Sequence, residues 1–207
     1  MMKAKWISLF LILCSTVCFA TENLKVLIPS NVIAKRIKIA ASQINKEYRN
    51  QPLTVIMVMK GAIFVTADLL RNLHVPYTLE YIQAKSLGIT RGSPEARVEL
   101  TGIENLNVTG KHVLIVDDIF DSGKTILAII KSLEAKNPKS IKSLVVFAKQ
   151  VQRKTSYLPD YSLLDNKEVM AKFPDGEDKN RVVVGYGIDY KEQFRGLPGL
   201  YVYSAPQ

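Results

Sequence analysis

The chain is poor in the residues that hold disulfide-rich and zinc-binding proteins together. Its 207 residues include two cysteines, Cys14 and Cys18, and two histidines, His74 and His112. The cysteines are too few to staple a domain, and their spacing from the histidines does not match a zinc-binding pattern. These shortages exclude a disulfide scaffold and a zinc enzyme.

Repeats and runs of like charge are absent from the sequence as well. Lys and Arg outnumber Asp and Glu by 28 to 19, for a net charge of +9, but no run of five or more like charges occurs. Hydrophobic residues make up 47% of the chain, which excludes an intrinsically disordered protein. Aromatic residues are not interleaved with basic ones as in single-strand binders, so nucleic acid is not expected. The positive net charge would also attract a small substrate that carries several phosphate groups.

The first twenty residues have the layout of a secretory signal. Lys3 and Lys5 precede fifteen uncharged residues, Trp6–Ala20, which end in small residues. The apolar stretch is short for a membrane span, which needs about 18 or more apolar residues. An upstream start codon or a buried N-terminal helix is the alternative. The pattern divides the chain into a signal-like segment, residues 1–20, and a single domain, residues 21–207.

Strands alternate with helices along the rest of the chain. Apolar residues recur at helical spacing from Ile33 to Tyr48, with Ser30 or Asn31 as the cap, and a further helix is predicted over 123–135. Continuous apolar runs predict strands at Leu53–Met59, Tyr77–Gln83, Val113–Val116, Ser143–Ala148 and Val182–Val184. Strands that are apolar on both faces are typical of an α/β fold, a parallel sheet flanked by helices. Ligands bind beyond the carboxyl ends of such strands.

The sharpest chemical feature is a buried strand, Val113–Val116, that ends in two adjacent acids, Asp117 and Asp118. A short loop and a helix start follow, with Asp121, Ser122, Gly123, Lys124 and Thr125. The unpaired N–H groups of a helix start form an anion cradle that suits a phosphate, and Gly123 allows close approach of the backbone. Because adjacent acids point different ways, one can bind a diol or a metal while the other packs against basic side chains.

A Walker A loop is the competing interpretation, because Gly-Lys-Thr is present. That motif needs a second glycine five residues before Gly123, and Asp118 stands there instead. A carboxylate at this place would repel the β-phosphate of a nucleoside triphosphate. The sequence therefore disfavours a nucleoside triphosphatase.

The stretch from Val113 to Thr125 is similar to the phosphoribosyl-diphosphate-binding motif of the type I phosphoribosyltransferases. The resemblance extends over about residues 24–203 and narrows to the branch that acts on 6-oxopurines such as hypoxanthine and guanine. It implies a Rossmann-like core, a parallel sheet flanked by helices, with a small hood formed by N- and C-terminal segments.

Other segments carry the same resemblance. Met59-Lys60-Gly61 resembles the family's pyrophosphate loop, in which a non-proline cis peptide turns N–H groups toward the diphosphate; a simple helix start is the alternative. Lys149, at a strand end, and Arg153 resemble the family's lysine and following arginine. The stretch 182–190 and Arg195 resemble its C-terminal purine- and metal-binding segment.

The resemblance implies that a purine nitrogen displaces diphosphate from C1 of ribose. Negative charge grows on the leaving diphosphate, so the reaction calls for Mg²⁺ and cationic side chains. The family pattern assigns Mg²⁺ to Asp117, Asp118 and Asp189. It places three residues on the diphosphate: Lys60, Gly61 and Arg195. It places the ribose and its 5′-phosphate on the acids and the cradle: Asp117, Asp118, Asp121, Ser122, Gly123, Lys124 and Thr125.

The same pattern assigns roles around the purine. The purine has to lose the proton on N7, and Asp121 is the candidate general base. Lys149 can donate to a 6-oxo group but not to a 6-amino group, which is a physical reason to reject adenine. The remaining purine-binding residues are Val182, Val183 and Asp189, with Val183 acting through its backbone.

Three features depart from the family pattern. The polar segment 85–107, a mobile lid that would exclude water, normally begins Ser-Tyr, whereas here Ser86 is followed by Leu87. Val182 stands where an aromatic residue stacks on the purine, and an insertion occupies 163–180. Stacking is worth about 1–3 kcal/mol, so purine binding is expected to weaken while the catalytic residues remain.

Two functions from different classes follow. The first is an Mg²⁺-dependent 6-oxopurine phosphoribosyltransferase of purine salvage, and the second is a regulatory protein of the same fold that binds without turnover. The expected partners are phosphoribosyl diphosphate and a 6-oxopurine, in a homodimer or homotetramer, with no stable membrane span. Because the donor is a cytosolic metabolite, the chemistry favours the cytoplasm. The signal-like segment keeps export, to the periplasm or outside the cell, as the alternative.

Overall fold

The computed structural model describes residues 23–87, 97–149, 156–172 and 181–205. The signal-like segment and Arg153 lie outside these ranges. Within them, no helix combines the length and the apolar character that crossing a bilayer requires.

The described elements include every strand that the sequence predicts, together with four strands, at 24–28, 97–101, 161–164 and 200–204, that it does not predict. In chain order they are β1 (Leu24–Ile28), α1 (Ser30–Glu47), β2 (Leu53–Met59), α2 (Ile63–Leu70), β3 (Tyr77–Leu87), β4 (Arg97–Thr101), a 3-10 turn (Ile103–Asn105), β5 (His112–Phe120), α3 (Lys124–Glu134), β6 (Ser140–Ala148), β7 (Tyr161–Leu164), α4 (Asn166–Ala171), β8 (Arg181–Val184) and β9 (Leu200–Ser204). The strands form two sheets, one of six strands and one of three.

The six-stranded sheet has the order β4-β3-β2-β5-β6-β7 and is parallel apart from the edge strand β4. Strand β5, in the interior of this sheet, shows why the strands carry apolar side chains on both faces. Leu114 and Val116 pack in the core cluster that includes α1 and α2, whereas Val113 and Ile115 pack with α3 on the opposite face. The predicted parallel α/β sheet flanked by helices is confirmed.

The smaller sheet joins the two ends of the described chain. Its order is β1-β9-β8, and both pairings are antiparallel. Val202 on the central strand pairs with Lys25 on one side and with Val183 on the other. This sheet is the hood that the family resemblance implies, and the strand predicted at 182–184 lies in it rather than in the parallel sheet.

Helix α1 begins without the cap that the sequence suggests. Neither Ser30 nor Asn31 caps it; Pro29 is the N-cap residue, and its carbonyl accepts the N–H groups of Val32 and Ile33. Proline already has the backbone geometry that a helix start requires, so no side-chain cap forms.

The predicted lid is only partly a loop. Its first residues belong to β3 and its later residues to β4, which pair antiparallel with Lys85 opposite Glu99, and residues 88–96 lie outside the described ranges. The sequence of β4 alternates polar and apolar residues, and Leu100 packs against the core that includes α3. Because most residues of segment 85–107 are polar, the alternation within β4 was not recognised and the strand was not predicted.

Candidate active site

Three segments of the predicted site meet beyond the carboxyl ends of β2 and β5. Gly61 follows β2 and lies against Asp118 at the end of β5: a Cβ on Gly61 would fall 2.1 Å from Asp118 Oδ2. Gly187 approaches Gly61 from the C-terminal segment, and a Cβ on Gly187 would fall 1.8 Å from the Gly61 carbonyl oxygen. Only glycine allows these contacts, because any side chain would overlap the neighbouring segment.

The peptide bond between Met59 and Lys60 is cis, as the family resemblance implies. The loop then enters α2, where the N–H of Ala62 donates to the carbonyl of Val58. A turn over residues 60–62 thus separates β2 from α2, which begins at Ile63.

Two adjacent carboxylates lie among the last four residues of β5, because the strand continues to Phe120 and does not end at Val116 as the sequence predicted. Asp117 is buried, and its Oδ1 accepts the N–H of Asp118, 2.9 Å away. Asp118 Oδ1 accepts the N–H of Ile119, 2.7 Å away. Burial and the neighbouring Asp118 charge raise the pKa of Asp117 well above its usual value, and burial also raises the pKa of Asp118. A cation or a pair of hydroxyl donors at this place would stabilise the ionised carboxylates.

The loop between β5 and α3 forms the predicted cradle. Gly123 is the N-cap residue of α3 and has a φ of 81°, a left-handed conformation that favours glycine. A small cavity of about 60 Å³ is lined by Asp117, Asp121, Ser122, Gly123, Lys124 and Thr125, among other residues. The first N–H groups of α3 therefore face a concave, hydroxyl-lined space of the kind that binds phosphate.

Lys149 and Asp121 come together beside this cradle. Lys149 Nζ lies 3.9 Å from Asp121 Oδ2, and the backbone N–H of Lys149 donates to the carbonyl of Phe120. A proton donor and a carboxylate thus stand at the ends of two neighbouring parallel strands, β6 and β5.

A larger cavity of about 540 Å³ lies between the loop after β2, strands β3 and β4, and the C-terminal segment. Its lining includes Lys60, Lys85, Asp189, Glu192 and Arg195. Arg195 Nη2 lies 2.8 Å from Asp189 Oδ1, and Arg195 Nε is buried with no hydrogen-bond partner in the described structure. A buried guanidinium N–H without a partner is costly, so an anionic oxygen bound here would stabilise it.

Sequence reasoning missed three charged residues of this cavity, Lys85, Glu99 and Glu192. Glu192 Oε2 lies 2.9 Å from Lys60 Nζ and 3.4 Å from Arg195 Nη2. The available signal was the position of Glu192 three residues after Asp189, between the assigned stretch 182–190 and Arg195. Lys85 was included in the lid without a role of its own.

Some predicted residues lie apart from both cavities. Val182 and Val183 belong to β8 in the hood, and neither is among the described lining of the two cavities. Ser86 and Leu87 end β3, and their side chains lie outside the described part of the structure.

A parallel sheet with an acid pair, a helix-start cradle and a cationic cavity defines a phosphoribosyltransferase. The family model described as "Phosphoribosyl transferase domain" matches residues 29–179, and the chain belongs to this family.

Its relatives carry a narrower name. Proteins named hypoxanthine-guanine phosphoribosyltransferase from Sus scrofa and Aquifex aeolicus are each 32% identical to this chain. The alignments cover 90% and 87% of this chain and 84% and 95% of the two relatives. The hypoxanthine phosphoribosyltransferase of Trypanosoma cruzi in complex with the product IMP matches with a TM-score of 0.71 and 31% identity, over 88% of this chain and 94% of that one.

Proposed function

We propose that this chain transfers the phosphoribosyl group of 5-phosphoribosyl 1-diphosphate to a 6-oxopurine in purine salvage, releasing diphosphate. The observation that carries the proposal is the Lys149–Asp121 pair beside the phosphate cradle. One group can donate to a 6-oxo oxygen and the other can accept a ring proton. The hypoxanthine-guanine phosphoribosyltransferase relatives, aligned over most of the chain, support the same reaction.

The donor occupies the two cavities at once. Its 5′-phosphate accepts hydrogen bonds from the helix start and hydroxyl groups at Ser122, Gly123, Lys124 and Thr125. The ribose hydroxyls donate to Asp117, which lines the smaller cavity, and to Asp118, which lies against Gly61. The diphosphate lies in the larger cavity against Lys60 and Arg195, with backbone N–H groups near Gly61.

Mg²⁺ fits the oxygen ligands of this site. Among the described residues no group of three or more acidic, histidine or cysteine side chains could hold a metal by itself. Mg²⁺ commonly uses one or two carboxylates and completes its shell with water and substrate phosphate oxygens. The candidate ligands are Asp117, Asp118 and Asp189; one or two of these carboxylates, with water and donor oxygens, would hold the ion, where it would neutralise charge on the leaving diphosphate.

The purine lies beside the cradle in the orientation set by Lys149. The Lys149 ammonium donates to the 6-oxo oxygen, and Asp121 accepts the proton on N7 as the purine attacks C1 of the ribose. Val182, the backbone of Val183 and Asp189 complete the purine pocket. The segment that begins at Ser86 and Leu87 closes over the donor and excludes water, which prevents hydrolysis.

Diphosphate release from phosphoribosyl diphosphate tests the function directly. We expect release with hypoxanthine, guanine or xanthine and none with adenine, because Lys149 cannot donate to a 6-amino group. Binding of donor without release, with every base offered, would indicate a regulatory protein instead of an enzyme.

An exposed apolar face supports assembly with a second copy of this chain. Tyr77, Leu79 and Tyr81 share the sheet face that carries α2, and Ile63 and Phe64 of α2 are also exposed. Contiguous exposed apolar side chains mark contact surfaces. We expect light scattering to show a dimer or tetramer. The double variant Leu79→Lys, Tyr81→Lys is expected to have a lower mass. An unchanged mass would mean that the interface lies on another surface.

The proposed chemistry places residues 21–207 in the cytoplasm as one domain, because the donor is made there. The signal-like residues 1–20 make export the alternative. Cell fractionation with sequencing of the mature N-terminus separates the two. A mature chain that starts at Thr21 and lies outside the cytoplasm would contradict the cytoplasmic assignment.

A further inference from the structure

Glu192 contacts two of the three cationic side chains that line the larger cavity, the proposed diphosphate site. Its Oε2 lies 2.9 Å from Lys60 Nζ and 3.4 Å from Arg195 Nη2. Lys60 and Arg195 are far apart in sequence and come from different segments, so a single carboxylate bridges the loop after β2 and the C-terminal segment.

The backbone around Glu192 is built to present this side chain. Lys191, Glu192 and Phe194 have φ values of 52°, 65° and 71°, a left-handed conformation that is uncommon for residues other than glycine. The N–H of Glu192 donates to Asp189 Oδ2 at 2.8 Å, and the ring of Phe194 packs on Tyr203 with centroids 4.7 Å apart. The carboxylate is thus held toward the cavity by its own turn.

A diphosphate needs the same two partners. The cavity of about 540 Å³ has cationic lining residues in Lys60, Lys85 and Arg195, and Glu192 already engages two of them. An oxygen of a bound diphosphate cannot take the place of Glu192 Oε2 while that oxygen remains there. While the carboxylate stays, it occupies one N–H of each cation and neutralises part of their charge, so the anion binds more tightly once the carboxylate withdraws.

We propose that Glu192 is a resident counter-ion of the diphosphate site, which competes intramolecularly with the donor and with product diphosphate and so weakens both and speeds release of the product. The inference rests on the proposed function for the identity of the anion. The Lys60–Glu192 pair is exposed, with 62% and 65% of the two side chains accessible. Exposed pairs are weak, so the expected effect is about two- to fivefold in affinity.

Calorimetric titration of the full chain with inorganic diphosphate and Mg²⁺ tests this without turnover. Glu192→Gln is expected to bind diphosphate about two- to fivefold more tightly than the wild type. Glu99→Gln is the matched control, since Glu99 lines the same cavity but, in the described structure, makes no ion pair with Lys60 or Arg195. Glu99→Gln is expected to change the affinity for diphosphate by less than half of the change that Glu192→Gln causes.

A double variant isolates the pairing from the general loss of negative charge. When Lys60→Met removes the closer cation, adding Glu192→Gln is expected to tighten diphosphate binding much less than it does in the wild type. The inference is overturned if Glu99→Gln tightens diphosphate binding as much as Glu192→Gln does. It is also overturned if Glu192→Gln binds diphosphate no more tightly than the wild type, or if the wild type does not bind diphosphate.

Activity assays keep the two proposals apart. If Glu192→Gln tightens diphosphate binding while no purine releases diphosphate from the donor, the counter-ion role stands and the proposed reaction is wrong. If turnover with hypoxanthine occurs while Glu192→Gln binds diphosphate as the wild type does, the reaction stands and the counter-ion role is wrong.

Discussion

Lys149 Nζ and Asp121 Oδ2 stand 3.9 Å apart at the carboxyl ends of two neighbouring strands. The backbone N–H of Lys149 donates to the carbonyl of Phe120, so the sheet ladder itself sets their separation. Both side chains are partly exposed, and a pair of this kind contributes little to stability. Either residue can therefore be replaced with little effect on folding, which makes the two roles separable by kinetics.

Asp121→Asn is expected to lower turnover by roughly two or more orders of magnitude while leaving donor affinity unchanged. The amide has the shape of the carboxylate but cannot accept the N7 proton. Steady-state kinetics with hypoxanthine, with a thermal melt, measures this. Glu134→Gln, an equal change of charge at the far end of α3, should behave as the wild type. Near-normal turnover of Asp121→Asn would remove this residue from the mechanism.

Lys149→Ala is expected mainly to raise the KM for the purine and to leave the KM for the donor nearly unchanged. The side chain is assigned to the 6-oxo group, so its loss removes a contact with the base and not with the phosphates. Lys131→Ala, on the exposed side of α3, is the control for loss of one positive charge. If Lys149→Ala instead strongly weakens donor binding, Lys149 contacts the phosphates of the donor, and the proposed orientation of the purine has to be reversed.

Val182→Phe is expected to lower the KM for the purine severalfold with little change in kcat, because stacking is worth about 1–3 kcal/mol and changes little in the transition state. Val182 pairs with Tyr203 across the hood, and the Tyr203 ring already packs on Phe194 and Tyr190. Purine titrations and thermal melts of both proteins measure the effect. An unchanged KM at unchanged stability would refute the stacking argument.

Stability is expected to fall as the pH drops through about 6.5, the usual pKa of histidine, because of His112. Burial, with the nearby Lys139 charge, lowers the pKa of His112 in the folded chain. Its ring nitrogens contact Ser140 Oγ at 2.7 Å and Gln51 Oε1 at 2.6 Å. The unfolded chain therefore takes up the proton first, so stability is full above the unfolded pKa and declines below it.

Urea melts between pH 5.5 and 8 measure this slope. His112→Gln should flatten it, whereas His74→Gln, at an exposed position, should leave it unchanged. Equal slopes in the wild type and His112→Gln would assign the pH dependence to other groups.

Local patterns were enough to predict the strand Leu53–Met59, the helix after Gly123 and the acid pair at the end of β5. Each depends on apolar runs, a turn residue or adjacent side chains, all of which are set by neighbours in the chain. The edge strand β4 escaped prediction because only five residues carry its period and only one face packs on the core.

By itself, the sequence determined the α/β alternation, the glycine turn at the start of α3 and the family motif, because backbone propensity and side-chain chemistry act within a few residues. Only the tertiary structure decided that Gly187 would press on Gly61 and that Glu192 would bridge Lys60 and Arg195. These contacts join the loop after β2 to a segment more than a hundred residues later. Such pairings depend on how the hood sits on the parallel sheet, and no periodicity in either segment encodes that geometry.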